Sequence, residues 1–189
     1  MKKESPSSIE TQIDKDGLRL ILKEKRNALS PQRRIEASLA LSKDLLPLLK
    51  PYKAILSFYS LPQEIDLCVV NQELAKEGKL HLPKVHGKNL RTYRVNHLET
   101  LLLSKWNILE PNPLLCSQSG LHRIDCVLVP GLGFDANHRR IGYGRGHYDR
   151  LLAKLSRTLT MGIGFKEQYC ENSLPCEDHD VALQKVLLY

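Results

Sequence analysis

Hydrophobic and polar positions follow two rhythms along this chain, helical at first and strand-like afterwards. Leu18, Ile21, Leu22 and Leu29 recur at near-helical spacing among basic residues, which predicts an amphipathic helix over Asp14–Leu29. Ser30-Pro31 has the order of an N-cap followed by proline at the first helical position. Ile35, Leu39, Leu45, Leu46 and Leu49 carry a second helix to about Lys50, just ahead of Pro51. Ala54–Tyr59 is then a short apolar run closed by Ser60-Leu61-Pro62, the mark of a buried strand. Asp66 is placed to cap a helix through Val69, Val70, Leu74 and Ala75 that Gly78 stops. Lys79–Val85 and, more weakly, Leu90–Val95 read as further strands, and Trp106–Gly120 as a long surface connection. Asp125–Val129 predicts another buried strand, followed by a polar, glycine-rich loop to about Gly146. A helix through Tyr148, Leu151, Leu152 and Leu155 and late strands over Thr158–Phe165 and Ala182–Leu188 complete the pattern. Strands alternating with helices predict one α/β domain over residues 14–189 with a mainly parallel sheet. Residues 1–13, polar and Pro/Ser-containing, are expected to form a flexible arm.

Composition narrows the class. With 189 residues and 42% hydrophobic positions the chain is an ordinary globular domain, not a disordered or fibrous one. Its 28 Lys and Arg against 21 Asp and Glu give +7, a modest excess that favours anionic partners. Five cysteines without a C-x-x-C pair point to reduced thiols rather than disulfides or zinc. No apolar stretch follows the N-terminal lysines and no run approaches a membrane span, so a soluble cytoplasmic protein is expected.

Chemistry concentrates between Val129 and Arg150. Gly142, Gly144 and Gly146 alternate with Tyr143 and Arg145 directly before a helical pattern, with Arg139, Arg140 and Arg150 close by. Alternating glycines let a backbone adopt positive φ and approach a ligand closely, and a helix start presents free N–H donors to an anion. A glycine-rich turn with solvated arginines is the plainer alternative. The Walker pattern is absent, and Gly131–Ala136, though it fits G-x-G-x-x-A, leads into a polar loop where a dinucleotide fold needs a helix.

Other candidates each carry two readings. Asp149 either pairs with an arginine or holds magnesium beside a polyphosphate, and Asp180 is either a second carboxylate for it or part of an exposed acidic turn. Lys15 and Arg19, four apart, share one helical face that is either solvated or turned to an anion. Glu64 follows the first strand, where ligand sites of α/β sheets gather, or is simply exposed. The seven histidines show no metal-ligand spacing, and no G-x-S-x-G occurs.

Taken in order, these segments resemble the 5-formyltetrahydrofolate cyclo-ligase family. V-P-G-L-G-F-D followed by R-I-G-Y-G-R-G-H-Y-D is similar to that family's P-G-x-x-F-D…R-L-G-x-G-x-G-[YF]-Y-D. Supporting matches are Lys15 and Arg19, Ser57–Asp66 around Glu64, Leu82-Pro83, Trp106-Asn107-Ile108, Gly162–Gln168 and Leu174–Asp180. The resemblance implies a three-layer α/β/α domain that uses ATP and magnesium to convert 5-formyltetrahydrofolate to 5,10-methenyltetrahydrofolate through an N5-iminium phosphate, releasing ADP and phosphate. It implies ATP contacts at Lys15, Arg19, Arg140, Ile141, Gly142, Tyr143, Gly144, Arg145, Gly146, His147 and Tyr148, with Arg145 and Tyr148 as catalytic. On the same resemblance Tyr59 and Glu64 would line the folate, sharing Tyr143, Gly144, Arg145, Gly146 and His147 with the nucleotide, and Asp149 and Asp180 would hold the metal. A monomer acting on small molecules, possible polyglutamate tails included, is expected, without nucleic acid or membrane.

Two positions depart from the family pattern. His138 stands where the family has glycine, and His147 replaces the first aromatic of a Tyr-Tyr-Asp triplet; we expect His147 to stack or hydrogen-bond at the ligand rather than serve as a base. Rival classes are a nucleic-acid-binding module, disfavoured by aromatics that are few and not interleaved with basic residues, and a sugar-phosphate or CoA enzyme on a similar scaffold.

Overall fold

The computed structural model describes residues 14–104, 107–155 and 157–189; the expected N-terminal arm and Trp106 lie outside them. Helix α1 (Lys15–Asn27) starts at Asp14, whose carboxylate accepts from the Gly17 amide at 2.8 Å. Helix α2 (Pro31–Leu49) starts at Ser30, whose hydroxyl accepts from Arg33 N at 3.1 Å, with Pro31 where its missing N–H costs nothing. Strand β1 (Ile55–Leu56) is shorter than its apolar run, because pairing continues only through Ser57 N to His81 O at 2.9 Å. Helix α3 (Cys68–Lys76) takes Leu67 rather than the expected Asp66 as its N-cap and has no side-chain cap bond; the Asp66 carboxylate accepts from Cys68 N at 2.8 Å in the turn that leads into it. The hairpin of β2 (Leu80–His86) and β3 (Asn89–Arg94) turns at Gly87, φ +61°.

The expected surface connection is structured where it is described. After β4 (Leu101–Leu103), the chain forms β5 (Leu109–Pro111), antiparallel to it, and β6 (Ser117–Ser119), antiparallel to β3. Strand β7 (Cys126–Pro130) matches its prediction. The glycine-rich loop corrects in the same way: β8 (Gly133–Asp135) and β9 (Arg140–Ile141) form a hairpin within it. Helix α4 (His147–Leu152) ends before the predicted Leu155. Strands β10 (Leu159–Gly164), β11 (Tyr169–Cys170), paired with β8, and β12 (Lys185–Leu188) close the chain.

The main sheet runs β12-β10-β7-β1-β2-β3-β6, with β12 through β2 parallel and β3 and β6 added antiparallel. Strand alternation sorts its faces. Ile55, Leu80, Leu82, Leu128, Met161 and Ile163 pack with Leu41 and Leu45 of α2 and Leu74 of α3. Leu56, Val127 and Val129 pack with Leu151 and Leu152 of α4. Helices therefore cover both faces, the three-layer α/β arrangement. Helix α1 belongs to neither core; its Leu22 packs with Leu132, Ile141 and Leu174 on the small β8–β9 sheet, which brings its basic face to the glycine loop.

Candidate active site

The C-terminal ends of β1, β7 and β10 converge on a narrow crevice lined by Phe58, Glu64, Pro130, Gly131, Ile163 and Gln168, the end of a parallel sheet where ligands bind. Gln168 stiffens its floor: the buried amide donates to Gly131 O at 2.7 Å and accepts from Phe165 N at 2.8 Å.

Asp135 organises the β8–β9 turn. One of its oxygens accepts from Asn137 N and Arg139 N, both at 2.9 Å, and the other from Leu174 N at 2.9 Å. Residues 133–135 are strand, so the G-x-G-x-x-A match is not a dinucleotide turn. His138 takes φ +59°, the left-handed conformation that makes glycine the easier residue there.

Beyond this turn lies the glycine loop. Gly144 and Gly146 take φ +87° and +61°. Arg19 Nε donates to Gly142 O at 3.1 Å, and Arg150 donates to Arg145 O at 2.6 Å. The loop's carbonyls are thus partly claimed, whereas among the described residues the amides of Gly142, Tyr143, Gly144 and Gly146 donate to no protein acceptor. A Cβ at Gly142 would fall 2.6 Å from Arg140 Nη1, and that guanidinium is nearly buried, donating to Asp149 at 2.7 Å and lying 5.7 Å from the Tyr148 ring centroid. Asp149 therefore pairs with an arginine.

Lys15 and Arg19 both reach inward. Lys15 binds Asp180 at 2.6 Å and Glu177 at 2.8 Å. Burial opposes the charge on Asp180, but its hydrogen bonds from Lys15 and the Glu177 amide outweigh it and hold the carboxyl below its usual range. Arg19 pairs with Asp16 and lies against Gly144. Asp149 and Asp180 each hold a cation of this chain, and the described residues contain no group of three or more His, Cys, Asp or Glu set to hold a metal.

Glu64 is buried rather than exposed. Its side chain is 8% accessible and accepts from Leu61 N at 2.9 Å and from the Tyr143 hydroxyl. Arg26, 2% exposed, donates to the Tyr143 oxygen at 2.6 Å, stands 3.5 Å from Glu64, and keeps a buried Nε–H without an acceptor. Burial raises the Glu64 carboxyl despite the bonds from Tyr143 and Leu61 and the nearby Arg26, and burial with the Glu64 charge raises the Tyr143 phenol. Arg26 was not singled out by sequence; its place seven residues after Arg19, on the same helical face, is the signal that finds it.

The remaining positions scatter around this centre. The Ile141 side chain is buried in the core beneath α1, leaving only its backbone toward the loop. Arg145 is exposed at the loop's tip. Tyr59 is half-buried against the larger core and makes no hydrogen bond to Glu64. His147 points its Nδ1 at the Lys88 carbonyl, 3.0 Å away, an oxygen that also accepts from Arg150 at 2.6 and 2.8 Å. These bonds tie the start of α4 to the β2–β3 turn, a role no local pattern announced.

A family model described as the 5-formyltetrahydrofolate cyclo-ligase family matches residues 11–189. The chain belongs to that family. It is 30% identical over 188 residues to the mouse 5-formyltetrahydrofolate cyclo-ligase, covering 92% of each chain. Among solved cyclo-ligase-like structures, the 5,10-methenyltetrahydrofolate synthetase of Aquifex aeolicus superposes with a TM-score of 0.81 at 32% identity, over 91% of this chain and 88% of that one. The Mycoplasma pneumoniae synthetase, at 23% identity and TM-score 0.74 over 92% and 98% of the two chains, shows the same fold. Membership places the chain among ligases. Among the described residues no helix is long and apolar enough to cross a membrane.

Proposed function

We propose that this chain catalyses the ATP- and magnesium-dependent conversion of 5-formyltetrahydrofolate to 5,10-methenyltetrahydrofolate, releasing ADP and phosphate, as a cytoplasmic monomer. The observation that carries the reading is the glycine loop: among the described residues its Gly142, Tyr143, Gly144 and Gly146 amides have no protein acceptor, and it lies beside Arg19 and Arg140 and is joined through one tyrosine hydroxyl to the buried carboxylate of Glu64. Unclaimed backbone donors amid guanidinium groups suit a polyphosphate, and a desolvated carboxylate suits the N–H groups of a pterin. The ligase name of the mouse relative supports the same substrate.

A formamide oxygen is a poor leaving group, so the reaction has to activate it. Its attack on the γ-phosphorus expels ADP and leaves an N5-iminium phosphate. N10 then adds to the formyl carbon and loses its proton, and the C–O bond breaks to release phosphate. Phosphoryl transfer asks the protein for position and charge rather than a nucleophile. Lys15, Arg19, Arg140 and Arg145 supply positive charge, the residue 142–146 backbone supplies donors, and Tyr148 stacks under Arg140 to fix its direction. Glu64 and Tyr59 orient the folate.

Magnesium brought in with the phosphates accepts oxygen ligands, one or two carboxylates among them, and Asp149 and Asp180 would have to exchange Arg140 and Lys15 for it. Asp149 and Asp180 would hold it, and it would neutralise phosphate charge. The test is the near-ultraviolet methenyl chromophore, formed from 5-formyltetrahydrofolate and MgATP and lost when nucleotide or metal is omitted. Arg145→Ala should abolish or sharply reduce the signal; normal turnover by Asp149→Ala would refute the metal assignment.

A further inference from the structure

We propose that Tyr143 is a placeholder on Glu64, occupying the carboxylate oxygen that an N–H donor of the pterin takes, and that Arg26 is the positioning residue that receives the carboxylate when the tyrosine leaves. This rests on the folate reading above, which gives Arg26 no role and does not say what the Tyr143 hydroxyl does on Glu64. Glu64 Oε2 already accepts from the Leu61 amide at 2.9 Å, and Oε1, the oxygen turned toward Arg26 and the glycine loop, accepts from Tyr143. With the side chain 8% accessible, there is little room for a second donor beside the phenol.

The two partners differ in freedom. Tyr143 as a residue is 44% exposed, belongs to neither core, and sits between Gly142 and Gly144, the latter at φ +87°, so it can swing out without disturbing the core. Arg26 is 2% exposed and stays. Its Nη1 is 2.6 Å from the tyrosine oxygen and 3.5 Å from Glu64, so removal of the phenol lets the guanidinium close on the carboxylate. The other groups facing Glu64 cannot replace it: Tyr148 from α4 is uncharged, and Arg140 behind it is held by Asp149. Substrate binding then exchanges one hydrogen bond for another and frees the loop segment that carries the unclaimed amides.

Titration calorimetry with 5-formyltetrahydrofolate, without nucleotide, tests the exchange. Tyr143→Phe should bind about three- to tenfold tighter, the worth of one hydrogen bond no longer surrendered. Arg26→Met should bind more weakly, and increasingly so as pH falls from 8 to 6 (assay values of about one unit either side of neutral, chosen around the histidine range), because an unsupported Glu64 takes up a proton. Arg26→Lys should restore much of the binding and flatten the profile. Weaker binding by Tyr143→Phe would overturn the placeholder, and a pH-independent loss in Arg26→Met would reduce Arg26 to a packing role. A ¹³C titration of the Glu64 carboxyl without folate separates the two levels. If the wild type bound no folate, the substrate reading and the placeholder would fall together, while an upward shift of the carboxyl in Arg26→Met would still establish Arg26.

Discussion

Residues 135–139 and residues 142–146 are successive bends of one segment, yet they settle their backbone polar groups in opposite ways. The first is completed from within: Asp135 accepts three amides, two of them its own turn's, and is 3% exposed. The second has carbonyls bound by Arg19 and Arg150 from two helices, and among the described residues no protein group claims the amides of Gly142, Tyr143, Gly144 and Gly146. Buried polar groups are satisfied as a rule, so the bend that closes on its own carboxylate is scaffold, whereas the other, exposed at residues 143–145, leaves its donors to water, which a ligand can displace.

That contrast is open to direct attack. Asp135→Ala leaves three amides unanswered and should lower stability by about 3–5 kcal/mol, read from urea denaturation; a midpoint close to wild type would show the carboxylate to be dispensable. Gly144→Ala forces a side chain into φ +87°, with its Cβ 3.4 Å from the Arg19 guanidinium. It should cost about 1–2 kcal/mol of stability but weaken nucleotide binding about tenfold, one hydrogen bond's worth; undiminished affinity would take the phosphate away from this bend. In the scaffold turn the sign reverses. His138→Gly relieves a left-handed residue and should raise stability by about 1 kcal/mol in thermal melts without touching turnover. The smallest effect is in pH. Glu64 titrates higher folded than unfolded, so between its unfolded value near 4.3 and its raised native value the folded chain holds more proton, and stability declines as pH rises. Glu64→Gln should flatten that stretch of the curve; an unchanged slope would assign it to another group.

Where local pattern determined structure, it was readable. The two leading helices carry 3.6-residue periodicity and side-chain caps, and the structure keeps them within a residue or two. The β5, β6, β8 and β9 strands are two or three residues long and partly polar, so their pairing comes from tertiary contacts that no alternation reveals. In the site, the glycines marked the loop and Lys15 and Arg19 marked the helix facing it. Arg26 escaped because its partners, Tyr143 and Glu64, are distant in sequence, and a lone arginine near a helix end looks like any solvated one until they meet it.

Lys15 and Asp180 are 165 positions apart and bind each other at 2.6 Å, and α1 rests on a small sheet whose strands lie between residues 133 and 170. During translation the first helix therefore leaves the ribosome long before its anchoring surface, and Asp180 follows Lys15 by those 165 positions. The apolar stripe of that helix stays uncovered, with Leu22 bare, until Leu132, Ile141 and Leu174 have been made.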